Sequence, residues 1–521
     1  MVTYALGLAS ACPPTNSDAS WDCTAQSLVP KRLPMSFGND RPVSRVGRYK
    51  QDNKNLLAKR GVLASLSCVR GAVWRESNRA RCKRVVDSGR GAPKSFDLVR
   101  AFGAGGDIEC LAIRRNGLSA DSYDEVGNEK MEHKTIYLNN AATTWPKPEI
   151  VYQTVDDCFR NLASPERAAG AAGQESAALM QNARAEIGEF FNLPDPLQLV
   201  FMPSCTYALN LAILCQDWQA GDEVVISGME HHAVSRPVRK VAREHEVQFY
   251  VSPYQPHKPF DLDFLEDRLK GGKVKLVACS MASNLTGDIM PSAEIGQLCR
   301  KYGARFLVDA AQAAGLLPVD VQELNADFMA FAGHKGLFGP PGIGGLYVAD
   351  GIRLDTLAEG GTGKDSGKHD MSGRFPSNFE VGTHNLLGIC GLTAGVRWLQ
   401  QVGLDKVREH EQSLTRRFTE SLQDVPGVKL YGNPDVSCRT AVVSMTCEDR
   451  CSPHQMADWL ANEHNVTTRA GYHCAPLAHE TIGTLPGDGT IRFSFGYHNT
   501  PDEVDQVANW VKEFVSQPAM G

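Results

Sequence analysis

The stretch Arg469-Ala-Gly-Tyr-His-Cys-Ala-Pro-Leu-Ala-His479 sets one cysteine, Cys474, between two histidines, His473 and His479. Thiolate and imidazole groups can ligate zinc, but this stretch supplies too few ligands for a structural site, and no metal is expected. Ionised, the same cysteine is a nucleophile. A free thiol is mostly protonated at neutral pH, so Cys474 needs help from a neighbour, and His473, His479 and Arg469 are the nearest in sequence.

Four other positions carry polar groups directly after apolar runs. Ser204, Cys205 and Thr206 stand where a strand gives way to a helix, whose free N–H groups and dipole attract an anion; a plain N-cap explains that stretch as simply. His231, in Met-Glu-His-His-Ala-Val, is either structural or placed to stack on a flat ring or move protons, since no third metal ligand lies at helical or hairpin spacing. Asp309 ends the run Arg-Phe-Leu-Val-Asp, where an unpaired carboxylate is costly, so it should face a cation or a strong donor. An N-cap role accounts for Asp309 but not for Gln312 beside it. Lys335 follows a buried run and precedes a Gly/Pro loop, which places its amine inside the protein, where desolvation suits it to Schiff-base formation. Gly-His-Lys-Gly is no nucleotide P-loop, because GxxxxGK[ST] is absent. Each motif alone is ambiguous. Together they match pyridoxal phosphate: an aldehyde for the lysine, a ring nitrogen for the aspartate, a phosphate for the helix N-terminus.

Such groups must be brought to one place by strand ends. From Met131 onward strand-like and helix-like segments alternate, as in Leu197–Cys215, Asp222–Glu244, Val274–Gly287 and Ala304–Gly315, each read as a strand, a turn and a helix. That order implies an α/β fold with a mostly parallel central sheet covered on both faces, and functional groups at the strands' carboxyl ends. After Gly388 the texture changes to long amphipathic helices followed by two strands, a smaller α+β domain. The expected organisation is an extension over 1–130, a large domain over 131–388 with an arm at 131–150, and a small domain over 389–521.

The bulk numbers fit a globular enzyme: 521 residues, 42% hydrophobic and 22% charged, with a formal charge of −6. The charge is uneven. Residues 1–130 carry roughly 21 basic against 13 acidic groups, so that segment is near +8 and the remainder near −14. Without interleaved aromatics or a recognisable motif, the basic segment reads as a poorly packed or non-native extension rather than a nucleic-acid arm. No apolar run approaches the ~18 residues of a membrane span and no signal peptide is evident, so a cytoplasmic protein without membrane contact is expected. Fifteen cysteines without CxxC pairs read as mostly reduced, buried small hydrophobes.

In order and spacing, Tyr-Leu-Asn-Asn-Ala-Ala-Thr-Thr-Trp-Pro-Lys-Pro (137–148), Glu-His-His-Ala-Val, Ser-Asn-Leu-Thr-Gly, Val-Asp-Ala-Ala-Gln, Gly-His-Lys-Gly, Phe-Glu-Val-Gly-Thr-His-Asn and the Cys474 stretch resemble the class V aminotransferase group of cysteine desulfurases and selenocysteine lyases, from about 135 to 515. The resemblance implies a fold-type I pyridoxal phosphate-dependent homodimer with its site at the subunit interface. It makes Lys335 the residue joined to the cofactor, Asp309 the partner of the ring nitrogen and His231 the stacked imidazole. Asn284 and Gln312 would bond the phenolic oxygen. Cys205, Thr206 and His334 would hold the phosphate, with Thr383 reaching across from the neighbouring subunit. Arg492 would clamp the substrate carboxylate with Asn140 nearby, and Cys474 would accept sulfur from L-cysteine as a persulfide, leaving alanine. The short spacing from Arg469 to Cys474 resembles the compact-loop subgroup, so a sulfur-acceptor protein or small thiol would come to Cys474, as in sulfur metabolism and iron–sulfur cluster assembly. Three positions depart from the pattern: Ala332 removes a hydroxyl usual near the phosphate, and Cys205 and Tyr207 replace a small residue and an acid, which lowers the expected cofactor affinity. L-Selenocysteine as substrate, an aminotransferase on the same scaffold and a zinc-binding interaction protein are the rival readings.

Overall fold

The computed structural model describes residues 96–100, 110–114, 135–163, 170–363, 367–371, 373–447 and 451–517. The chain divides after Leu118 into two units. In the first, β1 (Phe96–Arg100) pairs antiparallel with β2 (Cys110–Arg114). The rest of the extension expected over 1–130 lies outside the described residues.

The second unit opens with β3 (Ile136–Tyr137), α1 (Glu149–Asn161) and α2 (Ala171–Phe190). Strands and helices then alternate through β4 (Leu199–Met202), α3 (Cys205–Leu214), β5 (Glu223–Ile226), α4 (His232–His245), β6 (Gln248–Val251) and α5 (Leu262–Lys270). The series continues with β7 (Val274–Ser280), α6 (Ser292–Tyr302), β8 (Arg305–Asp309), β9 (Phe328–Ala332) and β10 (Gly344–Val348). Strands β4 to β10 form one sheet in the order β4-β10-β9-β8-β7-β5-β6, in which only β10 runs antiparallel to its neighbours. Period-two alternation along each strand feeds two cores. Phe201, Val225, Val277, Phe306, Val308 and Phe331 point into one, and Val200, Val224, Leu276, Leu307, Phe328 and Ala330 into the other. Both faces are therefore covered, which is why these strands read as unbroken apolar runs.

Polar residues cap the helices that follow the strands. Ser204 accepts from the Tyr207 amide at the start of α3, and His231 Nδ1 accepts from the Ala233 amide at the start of α4. One expectation fails: no helix follows β8. The chain makes tight turns instead, with the Ala313 and Ala314 amides both on the Ala310 carbonyl. The reason is crowding by the lysine loop. Gly315 sits at φ +84°, and a Cβ there would lie 2.2 Å from the Gly336 carbonyl oxygen, so the segment is moulded against the residues after Lys335.

The remaining elements are α7 (Leu386–Val402), α8 (Leu404–Leu422), β11 (Val428–Tyr431), β12 (Val442–Cys447), α9 (Pro453–His464), β13 (Val466–Thr467), β14 (Arg469–Gly471), α10 (Pro476–Ile482), β15 (Thr490–Ser494) and α11 (Pro501–Ser516). An antiparallel sheet in the order β11-β12-β15-β14 packs Val443, Met445, Ile491 and Phe493 against Phe418 of α8 and Val507 and Val511 of α11. Helix α7 sends Ile389, Leu392 and Val396 into the core of the large sheet. Strand β3 pairs in parallel with β13, and Ile136 and Leu138 join the core of the smaller sheet. The arm thus runs beside β15, where Asn139 bridges to Ser494. Among the described residues no helix is long and apolar enough to cross a membrane.

Candidate active site

The carboxyl ends of β7, β8 and β9, the starts of α3 and α4, the arm after β3 and the β14 loop converge on one cavity of about 230 Å³. Its lining includes Cys205, Thr206, His231, Asn284, Asp309, Gln312, His334 and Lys335, all singled out from the sequence, together with Arg492 of β15. Residues spread over nearly 290 positions meet because parallel strands all present their carboxyl ends on one side.

Asp309 and Lys335 are the chemical centre. Asp309 Oδ1 accepts from the Ala311 amide at 2.9 Å and lies 3.4 Å from the Cys205 sulfur. Burial raises its pKa, with the Ala311 amide and the Lys335 charge pulling the other way. Burial lowers the Lys335 pKa, opposed by Asp309 and Cys205. The amine is thereby biased toward its neutral, nucleophilic form. His231 is driven down to about 3 by burial and by Lys335 and its other cationic neighbours, so it is a neutral imidazole. Since Nδ1 accepts from the Ala233 amide, Nε2 carries the proton. His334 falls to about 4 through burial and the charges of Lys335 and Lys147. At the start of α3 only the Tyr207 amide is capped, which leaves the Cys205 and Thr206 N–H groups, at the cavity wall, for an anion.

Three buried polar atoms of the lining have no protein partner: Asn284 Oδ1, His473 Nδ1 and Arg492 Nε. Orphaned atoms of this kind belong in a site that a polar ligand completes. Arg492 is 1% exposed, donates through Nη1 to the Asn284 carbonyl at 2.8 Å and through Nη2 to Asn139 Oδ1 at 3.1 Å, and burial lowers its pKa to about 9. Asn284 Nδ2 donates to the His473 carbonyl and Gln312 Nε2 to the Ala141 carbonyl, each keeping a second N–H for a ligand. Ala332 also lines the cavity.

Cys474 is exposed, in a loop where His473 and Cys474 both take the left-handed conformation at φ +49° and +58°. The loop is fastened by its carbonyls, His473 O to Asn284 and Cys474 O to the His232 amide at 2.8 Å. Of the three helpers expected from the sequence, Arg469 alone reaches the thiol, with Nη2 3.2 Å from Sγ. The histidines turn inward: His473 Nε2 bonds Thr490 and His479 Nδ1 bonds Thr484. The cysteine and the two rings therefore do not converge as a ligand set, and among the described residues no group of three or more His, Cys, Asp or Glu could hold a metal ion.

Three predicted residues do not line this cavity: Cys474, whose loop neighbours Arg469 and His473 do, Asn140 and Thr383. Asn140 is buried between the Ser494 carbonyl and Asn499 Oδ1 and ties the arm to the residues after β15; its neighbour Asn139 is the one that touches Arg492. The chain turns at Asn140, directly after Asn139 bridges to Ser494, so of the two adjacent asparagines Asn139 reaches Arg492. Thr383 lines a separate, mainly apolar groove of about 320 Å³ with Phe201, Met202, Tyr207 and Phe379. Sequence reasoning overlooked Ser280 and Asn139, although Ser280 ends the apolar strand β7 just as Asp309 ends β8.

The class V aminotransferase model, "Aminotransferase class-V", matches residues 136–507. The chain belongs to that family. A protein of Pyrococcus abyssi named "Probable cysteine desulfurase" is 32% identical over 395 residues, covering 74% of this chain and 95% of that one. Another so named, from Mycolicibacterium paratuberculosis, is 33% identical over 380 residues, but the match spans only about half of it, 54%. Among solved structures, an apo cysteine desulfurase from Thermococcus onnurineus superposes with a TM-score of 0.68 at 31% identity, covering 73% of this chain and 94% of that one. The Escherichia coli cysteine desulfurase CsdA in its S-sulfonic acid form gives 0.65 at 29%, with the same coverage. The mostly parallel sheet and flanking helices are the fold-type I arrangement of these class V enzymes.

Proposed function

We propose that this class V protein is a pyridoxal phosphate-dependent cysteine desulfurase that converts L-cysteine to L-alanine and carries the sulfur on Cys474. The carrying observation is the contact between Arg469 and Cys474 at the edge of a cavity that also holds Lys335, Asp309 and Arg492. A plain aminotransferase needs the last three but has no use for an exposed thiol set against a guanidinium.

The residues fit the cofactor. Lys335 would join its aldehyde, Asp309 would face its ring nitrogen, His231 would lie on the ring, and Asn284 and Gln312 would reach the phenolic oxygen. Cys205, Thr206 and His334 would hold the phosphate, with Thr383 of a second copy completing it. Homodimerisation is supported by the apolar groove around Thr383 and by exposed Trp145, Ile150, Tyr152, Phe159 and Tyr207. Bound there, the cofactor supplies a carbonyl for the substrate amine and an electron sink for its α-carbon. Arg492 grips the substrate carboxylate, answering its own buried charge. Lys335 Nζ takes the α-proton, burial biasing the amine toward its neutral form, and returns it to the α-carbon as alanine forms. Arg469 stabilises the Cys474 thiolate, which attacks the substrate sulfur: the new S–S bond forms as the C–S bond breaks, and the electron pair left on carbon is protonated to give alanine. Reduced thiols of this kind fit the cytoplasmic setting expected from the sequence.

Incubation with L-cysteine should yield alanine and protein-bound persulfide together. Cys474→Ser should abolish the persulfide while leaving the visible absorbance of the bound cofactor intact. Unchanged turnover in that variant would remove Cys474 from the mechanism, and alanine-free turnover dependent on keto acids would make the protein an aminotransferase.

A further inference from the structure

Glu230 precedes His231 and is fully buried, yet no step above uses it. Its partners are all neutral. Oε1 accepts from the Ser280 amide at 2.8 Å and from the Ser227 hydroxyl, while Oε2 lies 2.7 Å from Ser280 Oγ. Ser280 ends β7 in register with Asp309 at the end of β8 and lines the same cavity, so its hydroxyl lies beside the Asp309 carboxyl and helps to lower its pKa. One hydroxyl therefore stands between two buried carboxyl groups, bonded to Glu230 and beside Asp309, and its single proton can go to only one of them. Two such groups in a low-dielectric interior do not readily ionise together.

The donor pattern indicates which one keeps a proton. Glu230 Oε1 takes two donors, as the carbonyl oxygen of a carboxylic acid does, which leaves Oε2 as the O–H that donates to Ser280 Oγ. Ser280 is then free to donate to Asp309. Asp309 collects the Ala311 amide and the Cys205 thiol on Oδ1 as well, a set suited to a carboxylate. We infer that Glu230 is the protonated member of a Glu230–Ser280–Asp309 relay, a positioning residue whose O–H, passed on through the Ser280 hydroxyl, holds Asp309 as the carboxylate that meets the cofactor. The last clause rests on the cofactor reading above; the relay itself does not.

Burial raises Glu230 to about 7, against the pull of Ser227 and Ser280, with the nearby Asp309 charge adding to the rise. The titratable groups facing it are Asp309 from β8 and the buried Cys279 thiol of β7, itself raised by burial and by Glu230. Above neutrality Glu230 should lose its proton, Ser280 should turn its hydroxyl toward the new carboxylate, and Asp309 should lose a donor.

Infrared difference spectra of the full-length protein at stepped pH read the relay without reference to the cofactor. A carboxylic-acid carbonyl band should disappear as pH rises through about 7, be missing in Glu230→Gln, and shift in frequency in Ser280→Ala, which lacks the hydroxyl. The Glu230→Gln difference assigns the band, because Glu411 is another buried acid. In the pyridoxal phosphate-loaded protein, the visible absorbance should titrate with a midpoint near the same pH and lose that step in Glu230→Gln. Glu230→Leu, with neither charge nor donor, should weaken cofactor binding about tenfold more than Glu230→Gln, whose amide still donates to Ser280. Should the leucine variant not fold, Ser280→Ala makes the same comparison. A Glu230 carboxyl already ionised at pH 6, a band that persists in Glu230→Gln, or equal cofactor weakening in the Gln and Leu variants would each overturn the relay. The expected infrared result with no visible titration would keep the proton on Glu230 and overturn only its action on the cofactor.

Discussion

Replacing Arg492 by methionine separates binding from stability. The guanidinium is 1% exposed, and among the described residues it forms no ion pair; its partners are the Asn284 carbonyl and Asn139 Oδ1. Burial moves its pKa from 12.5 to about 9, which corresponds to a cost of about 5 kcal/mol for keeping the charge in the folded protein at neutral pH. Two hydrogen bonds from a charged donor return ~1.5–3 kcal/mol each. The terms nearly cancel, so Arg492→Met, of similar length and apolar, should change unfolding stability by no more than about 2 kcal/mol in either direction. Removing one partner of a buried carboxylate-paired arginine would instead cost about 3–5 kcal/mol. Substrate binding should suffer far more, because the carboxylate loses a buried counter-charge: kcat/KM for L-cysteine should fall on the order of 100- to 1,000-fold. Urea unfolding without substrate and steady-state alanine release measure the two effects. A stability loss above about 3 kcal/mol would mean that the arginine is neutralised from within the protein, and an unchanged KM would mean that it does not hold the carboxylate.

Arg469→Met should slow persulfide formation on Cys474 from L-cysteine roughly tenfold, since the guanidinium 3.2 Å from Sγ is lost; an unchanged rate would show that the contact does not assist the thiol. Glu411 of α8 is 4% exposed and raised by burial to about 8, above its unfolded value, so its contribution to stability is full below about pH 4.5 and is lost as pH rises through 8. Glu411→Gln should therefore flatten the decline between pH 6 and 8 by about 2–3 kcal/mol, and parallel wild-type and variant curves would contradict this. Gly296→Ala in α6 would place a Cβ 1.8 Å from the Leu324 carbonyl oxygen and should cost about 1–3 kcal/mol, with turnover per folded molecule unchanged; a variant as stable as wild type would show that the helix can shift freely.

Much of this site was legible in order along the chain, because strand-end residues in a parallel α/β fold share one rim. Asp309, Lys335, His231 and the Ser204–Thr206 turn each follow an apolar run, and the structure gathers them. The missing helix after β8 was not legible. Ala-Ala-Gln-Ala-Ala has good helix propensity, whereas the segment runs into Gly315 packed against Gly336, a contact between segments that no local window contains.

Residue types therefore determined the chemistry available here: an amine, a carboxylate, imidazoles and a thiol, each punctuating an apolar strand or loop. Tertiary structure decided which of them act on one another. Asn139 rather than Asn140 meets Arg492 because Asn139 bridges to β15 and the chain turns away at Asn140, and Arg469 rather than either histidine meets Cys474 because both imidazoles are tied to threonines. Proton affinities were settled at the same level. Charge and desolvation depend on distances between segments far apart in sequence, so the neutral state of His231 and the position of Ser280 between Glu230 and Asp309 exist only once the strands are packed side by side.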